Sequence, residues 1–91
     1  MLPNYDTRRV LHFLYMKEPE LGTYYHFKDP TKLYEVVGIA MHTETEEQMV
    51  VYRPLYENPA APMFVRPLEM FVGEVDKPEL GYKGPRFVRV D

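Results

Sequence analysis

Residues 32–56 read KLYEVVGIAMHTETEEQMVVYRPLY. Two apolar runs rich in Val, Ile and Tyr flank a polar tip, TETEE, at 43–47. β-branched and aromatic side chains fit a pleated, half-buried surface, so the stretch reads as two long strands of one hairpin. The tip has no Asn-Gly pair, which predicts a loop of several residues rather than a tight two-residue turn. A hairpin centred on Thr45 and Glu46 sets Gly38 opposite Arg53, Ala40 opposite Val51 and His42 opposite Met49. A one-residue slip would exchange the two faces. In that register Gly38 leaves a gap over which the Arg53 side chain can lie, or it marks a bulge or the corner of a small barrel. The barrel corner is the preferred reading.

The same vocabulary continues on both sides. Upstream, TYYHFK (23–28) reads as a strand and DPTK (29–32) as a turn, with Asp29 bonding its own backbone and Pro30 presetting φ. Downstream, ENPAAP is a loop, and MFVRP gives a short strand that Pro67 ends. LEMF then makes one 3₁₀ turn. In FVRPLEMF (64–71), Phe64, Val65, Leu68, Met70 and Phe71 read as core, while alternation sends Arg66 outward from Val65. GEVDKPELGYKG is a polar connection and PRFVRV a final strand. About five short strands with frequent turns predict an all-β domain, a small SH3-like barrel over 21–91. Residues 1–20 read as an N-terminal extension. There Asp6 or Thr7 caps a short helix with Val10, Leu11, Leu14 and Tyr15 on one side, although a strand reading is almost as good.

Ninety-one residues suit one domain, and 45% hydrophobic residues with eight tyrosines and five phenylalanines can support a modest core. Cysteine is absent, which excludes a disulfide framework, a zinc-thiolate site and a thiol nucleophile, and is compatible with a reducing cytoplasm. The net charge of −3 gives no global pull toward nucleic acid or anionic membrane. TRRVLHFLYM sets two arginines before an apolar stretch, as export signals do. It ends at once in KEPE with no small-residue cleavage site, so neither export nor membrane insertion is expected.

Taken in order, GTYYHFK, YEVVGIAMHTETEEQMVVYRPLY, FVRPLEMF and PRF resemble the small, mostly bacterial family called domain of unknown function 1653. The resemblance runs from Gly22 to Phe87. The family usually carries tryptophan where Phe64 stands, so the apolar role is kept and an indole donor is lost. Residues 1–20 and the long loop at 57–63 lie outside the family's usual pattern. The resemblance implies a compact all-β domain similar to SH3-like barrels, with no established activity. The polar positions that match the pattern are Tyr24, His26, Lys28, His42, Glu44, Tyr52, Arg53, Arg66 and Arg86, with no known role to transfer.

Chemistry-bearing residues are few. The chain has no serine, and an exposed loop tip gives Glu44 and Glu46 no burial to separate their pKa values. His26, His42 and Glu44 would make a two-histidine, one-carboxylate metal set only in a register that brings them together. No metal or cofactor is expected. Tyrosines offer flat amphipathic walls, and Arg53, Arg66 and Arg86 can hold carboxylate or phosphate bidentately. The expected function is therefore an interaction or ligand-binding module for a peptide or small anionic ligand, with nucleic acid less favoured. Its site residues are Tyr24, His26, Tyr52, Arg53 and Arg66. The alternative is a small enzyme or accessory domain using His26 or His42 as acid/base near an arginine-bound substrate.

Overall fold

The computed structural model describes residues 18–90. The expected helix of the N-terminal extension falls on residues outside that range. Seven strands alternate with two short helical turns: β1 Gly22–His26, β2 Asp29–Met41, β3 Gln48–Pro54, β4 Phe64–Pro67, α1 Leu68–Phe71, β5 Glu74–Lys77, a 3₁₀ turn Pro78–Leu80, β6 Tyr82–Pro85 and β7 Phe87–Arg89. An antiparallel five-stranded sheet has the order β4-β3-β2-β1-β7, and β5 pairs with β6 in a second sheet. The all-β class is as expected. Neither sheet closes on itself, since β4 and β7 end the larger one; this order is compatible with an SH3-like barrel.

The hairpin of β2 and β3 is real, and its register differs from the expected one. Gly38 faces Val51, Ala40 faces Met49, and Arg53 faces Glu35. The tip closes two residues earlier in the pairing because the His42 N–H bonds the Glu47 carbonyl (2.8 Å) and the Glu46 N–H bonds the His42 carbonyl (2.7 Å). Glu46 accepts a left-handed φ of 63° to complete that loop. Val37 is then an extra residue on β2, a bulge between Val36 and Gly38. The bulge explains an odd spacing. Val36 and Ile39 stand three apart yet both pack on the core, which simple alternation forbids. The Gly38 position thus belongs to a bulge rather than a corner.

The first turn is also displaced. It consists of Phe27 and Lys28, and Asp29 already pairs with His26 as the start of β2. The Asp29 carboxylate does bond its local backbone, accepting the Thr31 N–H at 3.0 Å.

β4 carries the larger correction. Phe64 lies opposite Tyr52 and Arg66 opposite Val50, so both take the core-side face of β3, and Val65 is 60% exposed. Cross-strand partners share a face, and β3's face is fixed by the burial of Val50 and Tyr52. LEMF forms an α-turn, closed by the Val72 N–H on the Leu68 carbonyl at 3.0 Å, rather than a 3₁₀ turn. That turn buries Leu68 and Phe71 and leaves Met70 exposed.

The polar connection at 73–84 is a hairpin, with Val75 its buried member. Gly81 supplies the left-handed φ of 64° that ends the 3₁₀ turn. Phe27 stacks on Tyr82 at 4.9 Å and sets this hairpin against the main sheet. The core itself is Tyr24, Val36, Val50, Tyr52, Leu68, Phe71 and Phe87. Each aliphatic or phenylalanine side chain there contributes about 1.5–3 kcal/mol by leaving water.

Candidate functional site

Phe87, the first residue of β7, is the hub. Phe71 stacks on it at 4.1 Å with ring planes 8° apart, and Tyr52 meets it edge-on at 5.6 Å. His26 stands edge-on at 5.1 Å, and the Arg66 guanidinium carbon lies over the ring at 5.2 Å. Each component arrives from a different element: Phe87 from β7, Phe71 from α1, Tyr52 from β3, His26 from β1 and Arg66 from β4. Arg66 reaches the hub because β4 turns it inward beside the fully buried Val50, whose side it cannot share as a charge. Its long stem therefore carries the guanidinium across to the aromatic face, a favourable seat for a cation. Its Nε also donates a long hydrogen bond to the Tyr52 hydroxyl at 3.4 Å.

Arg86 enters from the link between β6 and β7, with its backbone pinned on both sides. Its N–H donates to the Gly73 carbonyl (3.0 Å) and its carbonyl accepts the Phe27 N–H (2.9 Å). The Arg86 Nε is buried without a hydrogen-bond partner. An orphaned buried donor costs about 1–3 kcal/mol, so such a group calls for an explanation.

His26 lies between the Phe27 ring at 4.7 Å and Phe87. Burial, then the positive charges of Arg66, Arg86 and Lys28, hold its imidazole below the ordinary 6.5, so it is neutral at pH 7. Its Nδ1 accepts the Lys28 N–H at 3.2 Å, which leaves the proton of the neutral ring on Nε2.

The charge pattern separates four arginines into two kinds. Arg53 pairs with Glu35 at 2.7 Å and Arg89 pairs with Glu20. Arg66 and Arg86 have no carboxylate partner among the described residues, and both act electrostatically on His26.

Of the expected site residues, His26, Tyr52 and Arg66 come together around Phe87. Arg53 does not join them: it lies across from Glu35 on the outer face, half-exposed and ion-paired. Tyr24 is a core residue, edge-on to Phe71 at 5.5 Å, with its hydroxyl donating to the Glu20 carbonyl at 2.7 Å. A cavity of about 360 Å³ lies along Tyr24, Phe71, Val72, Phe87, Val88 and Arg89. His42 stands beyond the far end of β2 from His26, and its Nδ1 accepts the N–H groups of Glu44 and Thr45 (both 3.3 Å) to shape the hairpin tip. The two histidines therefore do not converge with Glu44. Tyr34 and Tyr56 share a hydroxyl–hydroxyl hydrogen bond of 3.0 Å, and burial together with that bond pushes the Tyr34 phenol far above its ordinary range. Phe87 is the residue that pattern reading passed over, since PRFVRV showed only alternation. Arg86 was named among the polar candidates but not placed in the site.

These features define a class: a small antiparallel all-β domain in which Arg66 and a neutral His26 pack on an aromatic hub, Arg86 also acts on that histidine, and neither arginine has a carboxylate partner among the described residues. The chain belongs to the family described as Protein of unknown function (DUF1653), whose model matches residues 22–89. A crystal structure of a DUF1653 protein from Bordetella bronchiseptica is similar, at 35% identity and a TM-score of 0.70 over 82% of this chain and 91% of that one. No curated protein matches the chain. Among the described residues, no helix is long and apolar enough to cross a membrane.

Proposed function

We propose that this domain is a binding module that holds an anionic group of a peptide or small molecule on Arg66 and Arg86, with His26 and Tyr52 flanking them. The observation that carries the reading is that Arg66 and Arg86 have no carboxylate partner among the described residues of a chain of net charge −3. Like charges beside one another cost free energy, and an incoming oxyanion removes that cost while gaining charge-assisted hydrogen bonds. A protein or small-molecule anion suits the overall acidity better than nucleic acid does. A cytoplasmic setting is part of the same proposal, and the cysteine-free sequence is compatible with it.

The enzyme alternative narrows to His26 as acid/base, because His42 stands away from the arginines. No serine or cysteine accompanies it, so the binding reading has the stronger support.

A nuclear magnetic resonance titration with sodium sulfate and with a capped tetraglutamate peptide tests the reading at constant ionic strength. Saturable shifts are expected at residues 26, 66 and 86. Arg66→Gln and Arg86→Gln, folded by matched melting curves, are each expected to weaken binding about tenfold or more. Arg53→Ala is expected to leave it unchanged. Equal weakening by Arg53→Ala would reduce the effect to bulk charge and retire the site.

A further inference from the structure

We propose that His26 sets the charge of the ligand: it takes up a proton as the anion arrives, becomes a third cation beside Arg66 and Arg86, and so favours doubly charged oxyanions over monoanions. The ligand head is thus a phosphoryl, sulfuryl or dicarboxylate group, which share two negative charges and several acceptor oxygens. This inference rests on the anion-binding reading above and adds His26's role to it.

The geometry leaves His26 few other fates. Phe27 and Phe87 pack the ring at 4.7 and 5.1 Å, and the Arg66 guanidinium lies over the same Phe87 ring at 5.2 Å, which keeps the imidazole and that arginine on one aromatic surface. The charges acting on it come from three separate elements: Arg66 on β4, Arg86 on the β6–β7 link and Lys28 in the β1–β2 turn. All are positive, and among the described residues no carboxylate is among the charges that act on it. The resting ring is therefore neutral, with Nδ1 accepting the Lys28 N–H. An oxyanion seated on the arginines offsets their positive charge and so lowers the cost of protonating the imidazole. The linkage is thermodynamically obligatory: a ligand that raises the affinity of His26 for a proton is itself bound more tightly as protons become available. The long Lys28 N–H contact is what the cationic ring gives up, since Nδ1 then becomes a donor. A monoanion offsets one of the two arginine charges and a dianion offsets both, so the dianion relieves more of the repulsion that keeps His26 neutral.

Two measurements on the wild-type chain decide the matter. The His26 imidazole, identified by its loss in His26→Gln, is titrated by nuclear magnetic resonance with and without saturating sodium sulfate. The expected result is a rise of about one pH unit in its midpoint, equivalent to about a tenfold gain in sulfate affinity across the titration. Sulfate and acetate affinities are then compared at pH 5.5 and pH 8 at constant ionic strength. Sulfate is expected to gain about tenfold at the lower pH and acetate clearly less. The His26→Gln variant, which keeps a neutral donor, is expected to bind sulfate with the pH dependence flattened. Sulfate binding with an unmoved His26 midpoint, an equal gain for acetate, or an unflattened profile in His26→Gln would overturn the inference and leave the arginine site standing. Absence of any saturable sulfate binding would overturn the binding reading, and this inference with it. Comparing phenyl phosphate and succinate with sulfate at pH 7, where all three are predominantly dianions, then separates phosphoryl from dicarboxylate sources by their relative affinities.

Discussion

His26 shows how a side chain's ionisation is set by what surrounds it. Partial burial and three positive neighbours lower its folded-state pKa below the 6.5 of the unfolded chain. Between those two values the unfolded state binds more protons, so stability rises with pH there. The contribution is complete above pH 6.5 and is lost as pH falls through the folded-state value. Urea unfolding between pH 8 and pH 5 is expected to show this loss in the wild type and a smaller slope in His26→Gln. Equal slopes would mean that the imidazole does not feel Arg66 and Arg86. The contrast with Arg53 is instructive at the same scale. An ion pair whose two side chains are 52% and 41% exposed contributes only about 0–1 kcal/mol, whereas an unpaired arginine packed on a ring shapes its neighbours' chemistry.

At the scale of strands and turns, the residue across the ladder decides which side chains are buried. Leu68→Ala is expected to cost about 2–5 kcal/mol, because the side chain is 1% exposed in a filled core. Val65→Thr, on the outer face, is expected to stay within about 0.5 kcal/mol in the same denaturant titration. The reverse ranking would restore the opposite orientation of β4. That orientation was the point at which alternation misled. In FVRP the apolar Val65 and the charged Arg66 suggest the wrong inward face, and only the pairing of Arg66 with Val50 fixes it. The two long strands at 33–56 were legible because their β-branched and aromatic content needs no tertiary information. A bulge was one of the readings of Gly38, and the structure has it one residue earlier, at Val37. β5 and β6 were not legible: Val75 is their one buried residue, and charged neighbours hide a strand in a polar segment. Three of the five expected site residues meet over the Phe87 ring rather than along a ladder, since His26 pairs with Asp29 at the start of β2 and Arg66 lies across Val50 from Ile39 nearer its end. Arg53 lies opposite Glu35 rather than Gly38, a three-residue difference made of the two-residue change at the hairpin tip and the extra residue of the bulge.

For the molecule as a whole, Glu20 makes contacts with the strands that follow it. The Tyr24 hydroxyl uses the Glu20 carbonyl, and the Glu20 carboxylate pairs with Arg89 across from β1. A chain beginning at Glu18 is expected to unfold cooperatively, and one beginning at Gly22 to be less stable by about 1 kcal/mol for the orphaned hydroxyl. That difference lowers Tm by about 4–8 °C in a domain of this size, readable by calorimetry. Loss of cooperative unfolding in the chain from Glu18 would show that the preceding segment is integral to the fold. The hub of rings described above also has an optical consequence. The chain contains no tryptophan, so its ultraviolet signals belong to tyrosine and phenylalanine alone. Tyr24, Tyr34 and Tyr52 are locked edge-on against other rings, and Tyr52 shares its hydroxyl with Arg66. Such fixed asymmetric packing is what generates near-ultraviolet circular dichroism. The domain therefore carries its own unlabelled chromophore at the place where an anion would act on Arg66, free of the indole background that obscures tyrosine in most proteins.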